Sequence, residues 1–179
     1  MSIAAALRAF HLCWLSRPVG QRCVYRSIRR QRATKFVEFG VGDLRRAKRM
    51  IAMAGVASPG ATIHYAGIDE FELRRAAKLP LKTVWQGLRQ TGAKVRLLPG
   101  EPFAALARSA NDLAGADIVI ISADVSRESM ERAGTYLPRL LHNGTLVFQE
   151  TVDGKGKSRL ARVELAPVVP PFKTLRRAA

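Results

Sequence analysis

Carboxylates and glycines recur in this sequence where apolar runs end. Glu38-Phe39-Gly40-Val41-Gly42 closes the run 36–39, Asp69 closes 62–68, and Gly100-Glu101 follows 94–98. Ser122-Ala123-Asp124 closes 116–121, and Gln149-Glu150 ends 145–148. Two glycines at alternate positions let a backbone approach a ligand closely, and a helix starting just beyond them aims free N–H groups at it. An acid at a strand end can accept from ribose hydroxyls, and Asp69 falls 27 positions after Gly42, a longer interval than the usual ~20. The loop expected at 55–60 absorbs the difference. Asp124 and Glu150 are the carboxylates best placed to take a proton from a reacting hydroxyl.

These residues need a scaffold that brings strand ends together. Residues 35–39 read as a buried strand, followed by the glycine turn and a basic helix with Leu44, Ala47, Ile51 and Ala54 on one stripe. Strands are expected at 62–69, 94–98, 116–122 and 145–150, with a sixth candidate at 160–165 beyond a Gly/Lys-rich hairpin at 153–157. Helices are expected at 80–92, 103–113 and 127–141. Alternating strands and helices predict an α/β fold, a doubly wound, mostly parallel Rossmann-like sheet with helices on both faces. Ligands of such sheets bind over the carboxyl ends of the strands, where all the residues above would lie.

The glycine turn excludes some ligands. A phosphate-cradling P-loop needs Lys-Ser/Thr after its second glycine, and Asp43-Leu44 stands there. A dinucleotide fingerprint needs a third glycine at position 45, which is Arg45. A dinucleotide-dependent enzyme is therefore the weakest of three readings.

The order of parts resembles a class I S-adenosylmethionine-dependent methyltransferase, and most nearly the macrocin-type O-methyltransferases. The resemblance spans residues 35–150. It rests on Glu38-Phe39-Gly40-Val41-Gly42, on Gly67-Ile68-Asp69-Glu70-Phe71-Glu72, and on Ser122-Ala123-Asp124 followed by a helix running into Leu137-Pro138-Arg139-Leu140-Leu141-His142-Asn143-Gly144-Thr145. It implies S-adenosylmethionine as cofactor, held by Glu38, Gly40, Gly42, Asp69, Gly100, Glu101 and Ser122, with Asp69 on the ribose and Gly100-Glu101 by the adenine. It also implies a small-molecule methyl acceptor methylated on oxygen, with Asp124 and Glu150 as catalytic residues. A divalent metal is a weaker implication, with Asp124, Gln149 and Glu150 as oxygen ligands. The sequence departs from the family at Leu44, where a third small residue is usual, and it has no insertion large enough for a substrate lid. These departures sustain the alternative of a catalytically inactive methyltransferase-like domain that binds nucleic acid or a protein partner.

Charge supports that alternative. The formal net charge is +16, and its excess lies on the flanks: residues 1–35 carry eight basic side chains and no acid, whereas 36–150 carry fifteen basic and twelve acidic. We therefore expect a basic helical arm at 1–34, a Rossmann-like domain at 35–166 and a basic tail at 167–179, the flanks being able to attract nucleic acid or another anionic surface. Within the arm, Ile3, Leu7, Phe10, Trp14 and Leu15 fall at helical spacing and would dock on the body or on a second copy in a homodimer. An acid-free, Arg-rich N-terminus also resembles a transit peptide. Cys13 and Cys23 make no metal pattern, and reduced cysteines would suit a cytoplasmic protein. No apolar run reaches the ~18 residues that would span a bilayer.

Overall fold

A computed structural model describes residues 2–74 and 79–163. Six strands form one sheet in the order β3-β2-β1-β4-β5-β6. They are β1 (Lys35–Phe39), β2 (His64–Asp69), β3 (Lys94–Pro99), β4 (Ile118–Ile121), β5 (Leu146–Val152) and β6 (Ser158–Val163). The first five pair in parallel, and β6 returns antiparallel on β5 through the hairpin. The strand order reverses between β1 and β4, so the loops leaving these two strands diverge to opposite faces and leave a crevice between them.

Each strand feeds two cores, because successive side chains point to opposite faces. Phe36, Tyr65, Ile118, Ile120 and Phe148 face one side. There they meet α1 (Ile3–Phe10), its π-helical continuation His11–Leu15, α2 (Arg22–Gln31), α3 (Arg45–Ala57) and α4 (Leu81–Arg89). Val37, Phe39, Ile68, Val119 and Ile121 face the other side, against α5 (Pro102–Ser109), α6 (Arg127–Ala133) and α7 (Leu137–Leu140). All four residues of β4 are buried, as its unbroken apolar run requires of a strand covered on both faces. The stripe Leu44, Ala47, Ile51 and Ala54 is buried too.

The helices before β1 are built into the first core. Val24, Tyr25 and Ile28 of α2 are fully buried there. Gly20 bridges Arg159 of β6, so close that a Cβ would lie 2.7 Å from the Ser158 carbonyl oxygen. At the amino end of the sheet Asp117 accepts from the Thr34 and Lys35 amides at 2.7 and 2.9 Å, fastening β1 to β4.

Two expectations change. Ile3, Leu7, Phe10, Trp14 and Leu15 do not pack on the body; they are exposed, while Ala9, Leu12 and Cys13 face inward. The single helix expected at 127–141 breaks into α6 and α7, where Gly134 ends one and Pro138 stands in the first turn of the other. The basic tail expected at 167–179 lies outside the described residues.

Candidate active site

The turn after β1 alternates left-handed conformations: Gly40 has φ +80°, Gly42 +64° and Leu44 +66°. At Gly40 the requirement is double, because a Cβ there would stand 2.7 Å from the Ser122 Cβ at the end of β4. The two strand ends flanking the crevice thus touch through a residue without a side chain. Leu44 does not enter the crevice. It is buried, with a terminal methyl 3.5 Å from the position a Cβ would take on Gly87 of α4.

Two clefts open over the carboxyl ends of the strands. The first, of about 580 Å³, is lined by Gly40, Asp69, Arg74, Gly100, Glu101 and Ser129, among others. The second, of about 1080 Å³, lies between the ends of β4 and β5 and helices α6 and α7, and is lined by Ser122, Met130, Leu137, Leu141 and Glu150, among others. Asp124 and Val125 line both. Of the residues expected from the sequence, Gly40, Asp69, Gly100 and Glu101 therefore share the first cleft, Ser122 and Glu150 lie in the second, and Asp124 stands between them. Glu38 and Gly42 line neither.

Asp69 is held by four donors. Its Oδ2 accepts from the Val41 amide at 2.6 Å and its Oδ1 from the Phe71 amide at 2.9 Å. Arg74 closes over both oxygens, Nε donating to Oδ1 at 2.6 Å and Nη2 to Oδ2. The bond to Val41 ties the end of β2 to the glycine turn, so the acid is part of the turn's construction as well as of the cleft. Across the cleft, Glu101 pairs with Arg132.

Glu38 has a different fate. It is fully buried on the α1–α4 side of the sheet, where its Oε1 accepts from Arg46 Nε at 2.5 Å and its Oε2 from the Tyr65 hydroxyl. Arg46, only 7% exposed, also donates to Glu150 Oε2 at 2.7 Å and to the Gly40 carbonyl at 3.1 Å. Glu150 accepts further bonds from Ser122 Oγ at 3.0 Å and from Ser158 Oγ. One guanidinium thus joins β1, the glycine turn and β5 from below. Burial is the main influence on Glu38 and pushes its carboxyl up, with Arg46 and Tyr65 offsetting only part. At Glu150 burial acts in the same direction, but the Ser158 hydrogen bond and the Arg46 charge together outweigh it and hold the carboxyl below its ordinary range. The Tyr65 hydroxyl, buried beside Glu38, is pushed well up and stays protonated.

Two residues that sequence reasoning passed over carry much of this geometry. Arg46 reads as one more base in the run Arg45-Arg46-Ala47-Lys48-Arg49. Its spacing to Met50 and Met53, both fully buried, would have marked it as inward-facing. Ser129 has no such signal. Ser129 lines the first cleft, and its hydroxyl is the one buried side-chain polar atom without a hydrogen-bond partner among the described residues. The same residues contain no group of three His, Cys, Asp or Glu side chains able to hold a metal ion, and Glu150 is committed to Arg46.

The fold that carries these clefts is that of the class I S-adenosylmethionine-dependent methyltransferases. No family model and no curated protein matches the sequence, but solved structures do match the fold. CalS11, a TDP-rhamnose 3'-O-methyltransferase of calicheamicin biosynthesis, superposes with a TM-score of 0.56 at 19% identity over 86% of this chain and 80% of its own. The O-methyltransferase TomG from Streptomyces achromogenes, in complex with SAM, gives 0.54 at 17% identity over 84% and 66%. Cofactor-bound Rv0187 from MTB gives 0.54 at 19% over 82% of this chain, which spans 63% of that protein.

Proposed function

We propose that this chain is an S-adenosylmethionine-dependent methyltransferase acting on an oxygen of a small molecule. The observation that carries the reading is the pair of clefts meeting at Asp124, one walled by the glycine turn and Asp69, the other wide and largely apolar. The first cleft suits the cofactor on three counts. At Gly40 the backbone forms a floor that any side chain would disrupt. Ser129, which lines the cleft, has an unpartnered hydroxyl that a side-chain rotation would turn to a ligand. With Arg74 withdrawn, each Asp69 oxygen would keep one backbone donor and a free lone pair, spaced for two vicinal hydroxyls. Asp69 would hold the ribose, with Gly40, Gly100 and Glu101 lining the site.

The bound cofactor would supply an electrophilic methyl group. The rest of the chemistry is positioning. Met130, Leu137 and Leu141 would hold an acceptor with an apolar body, and its hydroxyl would point to Asp124, which would take the proton. Glu150 is a poorer base, since its carboxyl is held ionised by Arg46 and two serine hydroxyls. We assign it, with Glu38, a positioning role beneath the glycine turn.

Calorimetric titration with S-adenosylhomocysteine tests the reading. Micromolar binding is expected in wild type and in Asp124→Asn, and the variant should lose roughly 10²–10⁴-fold in methyl transfer once an acceptor is found. No heat and no thermal shift at millimolar ligand would overturn the proposal.

A further inference from the structure

Most large apolar side chains exposed in the described residues crowd into one place. Ile3, Leu7, Phe10, Trp14, Leu15 and Val19 account for six of the ten, and the other four are scattered along the chain. Ile3, Leu7, Phe10 and Trp14 repeat at intervals of four, three and four, which places them in one row along α1 and its continuation. Ile3 is 82% exposed and Trp14 50%. The opposite side of the same helix is already spent on the core through Ala9, Leu12 and Cys13. The outer row therefore has no partner within the described residues, and folding the domain does not require it.

Charge decides what could cover it. Residues 1–35 contain no acid, and Arg8, Arg17, Arg26, Arg29 and Arg30 are exposed along α1, the segment after it and α2. The Arg26 guanidinium lies 5.2 Å from the centre of the Trp14 ring, at the border of the apolar row. A second copy would bring the same uncompensated arginines against these, so like charges oppose self-association. Nucleic acid would satisfy the arginines but leave the aliphatic row in water. An anionic bilayer satisfies both: aliphatic and aromatic side chains enter the headgroup boundary while the arginines meet lipid phosphates and carboxylates.

We propose that α1 and the segment to Val19 form a membrane-surface docking face, lying in the interface of an anionic lipid leaflet without spanning it. This inference is independent of the methyl-transfer reading. The inner face of α1 stays packed on the domain, so docking would carry the folded body to the surface without unfolding it.

The test uses the full chain and vesicles of phosphatidylcholine, with or without about one third phosphatidylserine. Wild type is expected to sediment with the anionic vesicles and only weakly with the neutral ones. In a Trp85→Phe background, Trp14 emission should shift to the blue on binding. Replacing Leu7, Phe10 and Trp14 together by Ser should lower partitioning about tenfold or more. Because these side chains are exposed, the circular dichroism spectrum should not change. Leu73→Ser with Val152→Ser, exposed apolar positions away from the row, should leave partitioning unchanged. Three results would overturn the proposal. They are no binding to anionic vesicles at low salt, binding that survives the triple replacement, or a stable dimer in sedimentation that the triple replacement dissolves.

Discussion

Two arginine–carboxylate centres are hydrogen-bonded to the glycine turn, and they differ in where they can go. Arg46 is enclosed beneath the turn, gripped by Glu38, Glu150 and the Gly40 carbonyl. Arg74 sits at the rim of the first cleft, and nothing holds it in place as firmly as Asp69 does. Asp69 in turn keeps two backbone donors whether or not Arg74 is present. The first pairing is therefore architecture and the second is exchangeable, although both look alike as Arg–acid contacts. Burial and the remaining donors make the difference.

The largest effect should come from breaking the buried centre. Arg46→Met fits the volume but leaves Glu38 buried with only the Tyr65 hydroxyl and removes one of Glu150's three partners. Removing one member of a buried pair costs about 3–5 kcal/mol, so chemical denaturation should show a loss of that order. Arg74→Ala should lose far less, because Asp69 keeps the Val41 and Phe71 amides as donors and the vacated rim opens it to the water of the cleft. Equal losses from the two would erase the distinction between architecture and exchangeable contact.

Binding sharpens the comparison at the rim. On the proposed reading Arg74 competes with the ribose hydroxyls for the same two oxygens. Asp69→Asn should weaken S-adenosylhomocysteine binding roughly 10- to 100-fold, the range for hydrogen bonds to a charged group. Arg74→Ala should tighten it by a few-fold, since the competing donor is gone. If Arg74→Ala instead weakened binding, Arg74 would be a ligand contact and not a competitor. Isothermal titration of the three proteins side by side reads both signs.

The contrast also explains what could be read from the sequence. Strand ends were legible where apolar runs stop, at Gly40, Asp69 and Ser122, because period and punctuation are local signals; β5 runs two residues beyond the expected end at Glu150, paired with β6. Asp69 was legible as an acid closing a strand, but its pairing with Arg74 depends on how the chain turns after β2. Arg46 was hidden, because a base in a run of bases looks solvated and only the spacing to Met50 and Met53 betrays it. The exposed row of α1 was misread for the opposite reason. Helical periodicity reports that a face is apolar, not what covers it, and here the small residues Ala9 and Cys13 make the inner contact. Ser129 could not have been found at all, since an orphaned hydroxyl depends on which neighbours fail to arrive.

The smallest effect divides the buried centre itself. Glu38 and Glu150 share one guanidinium, and their carboxyls are displaced in opposite directions from the ordinary value of 4.5. A carboxylate whose pKa is lowered on folding contributes stability that is present above its unfolded value and lost as pH falls through its folded value. One whose pKa is raised contributes stability that is present below the unfolded value and lost as pH rises through the folded one. The gap in melting temperature between wild type and Glu150→Gln should therefore shrink on acidification below about pH 4.5. The gap between wild type and Glu38→Gln should shrink in the other direction, as pH rises from there. Both replacements keep the shape of the side chain, and Gln still offers Arg46 one acceptor, so the opposing slopes report charge more than packing. Parallel slopes would mean that the two acids titrate as one unit around Arg46. The buried centre would then respond to pH as a whole, with no division between an inner carboxyl pushed up by burial and an outer one held down by its partners.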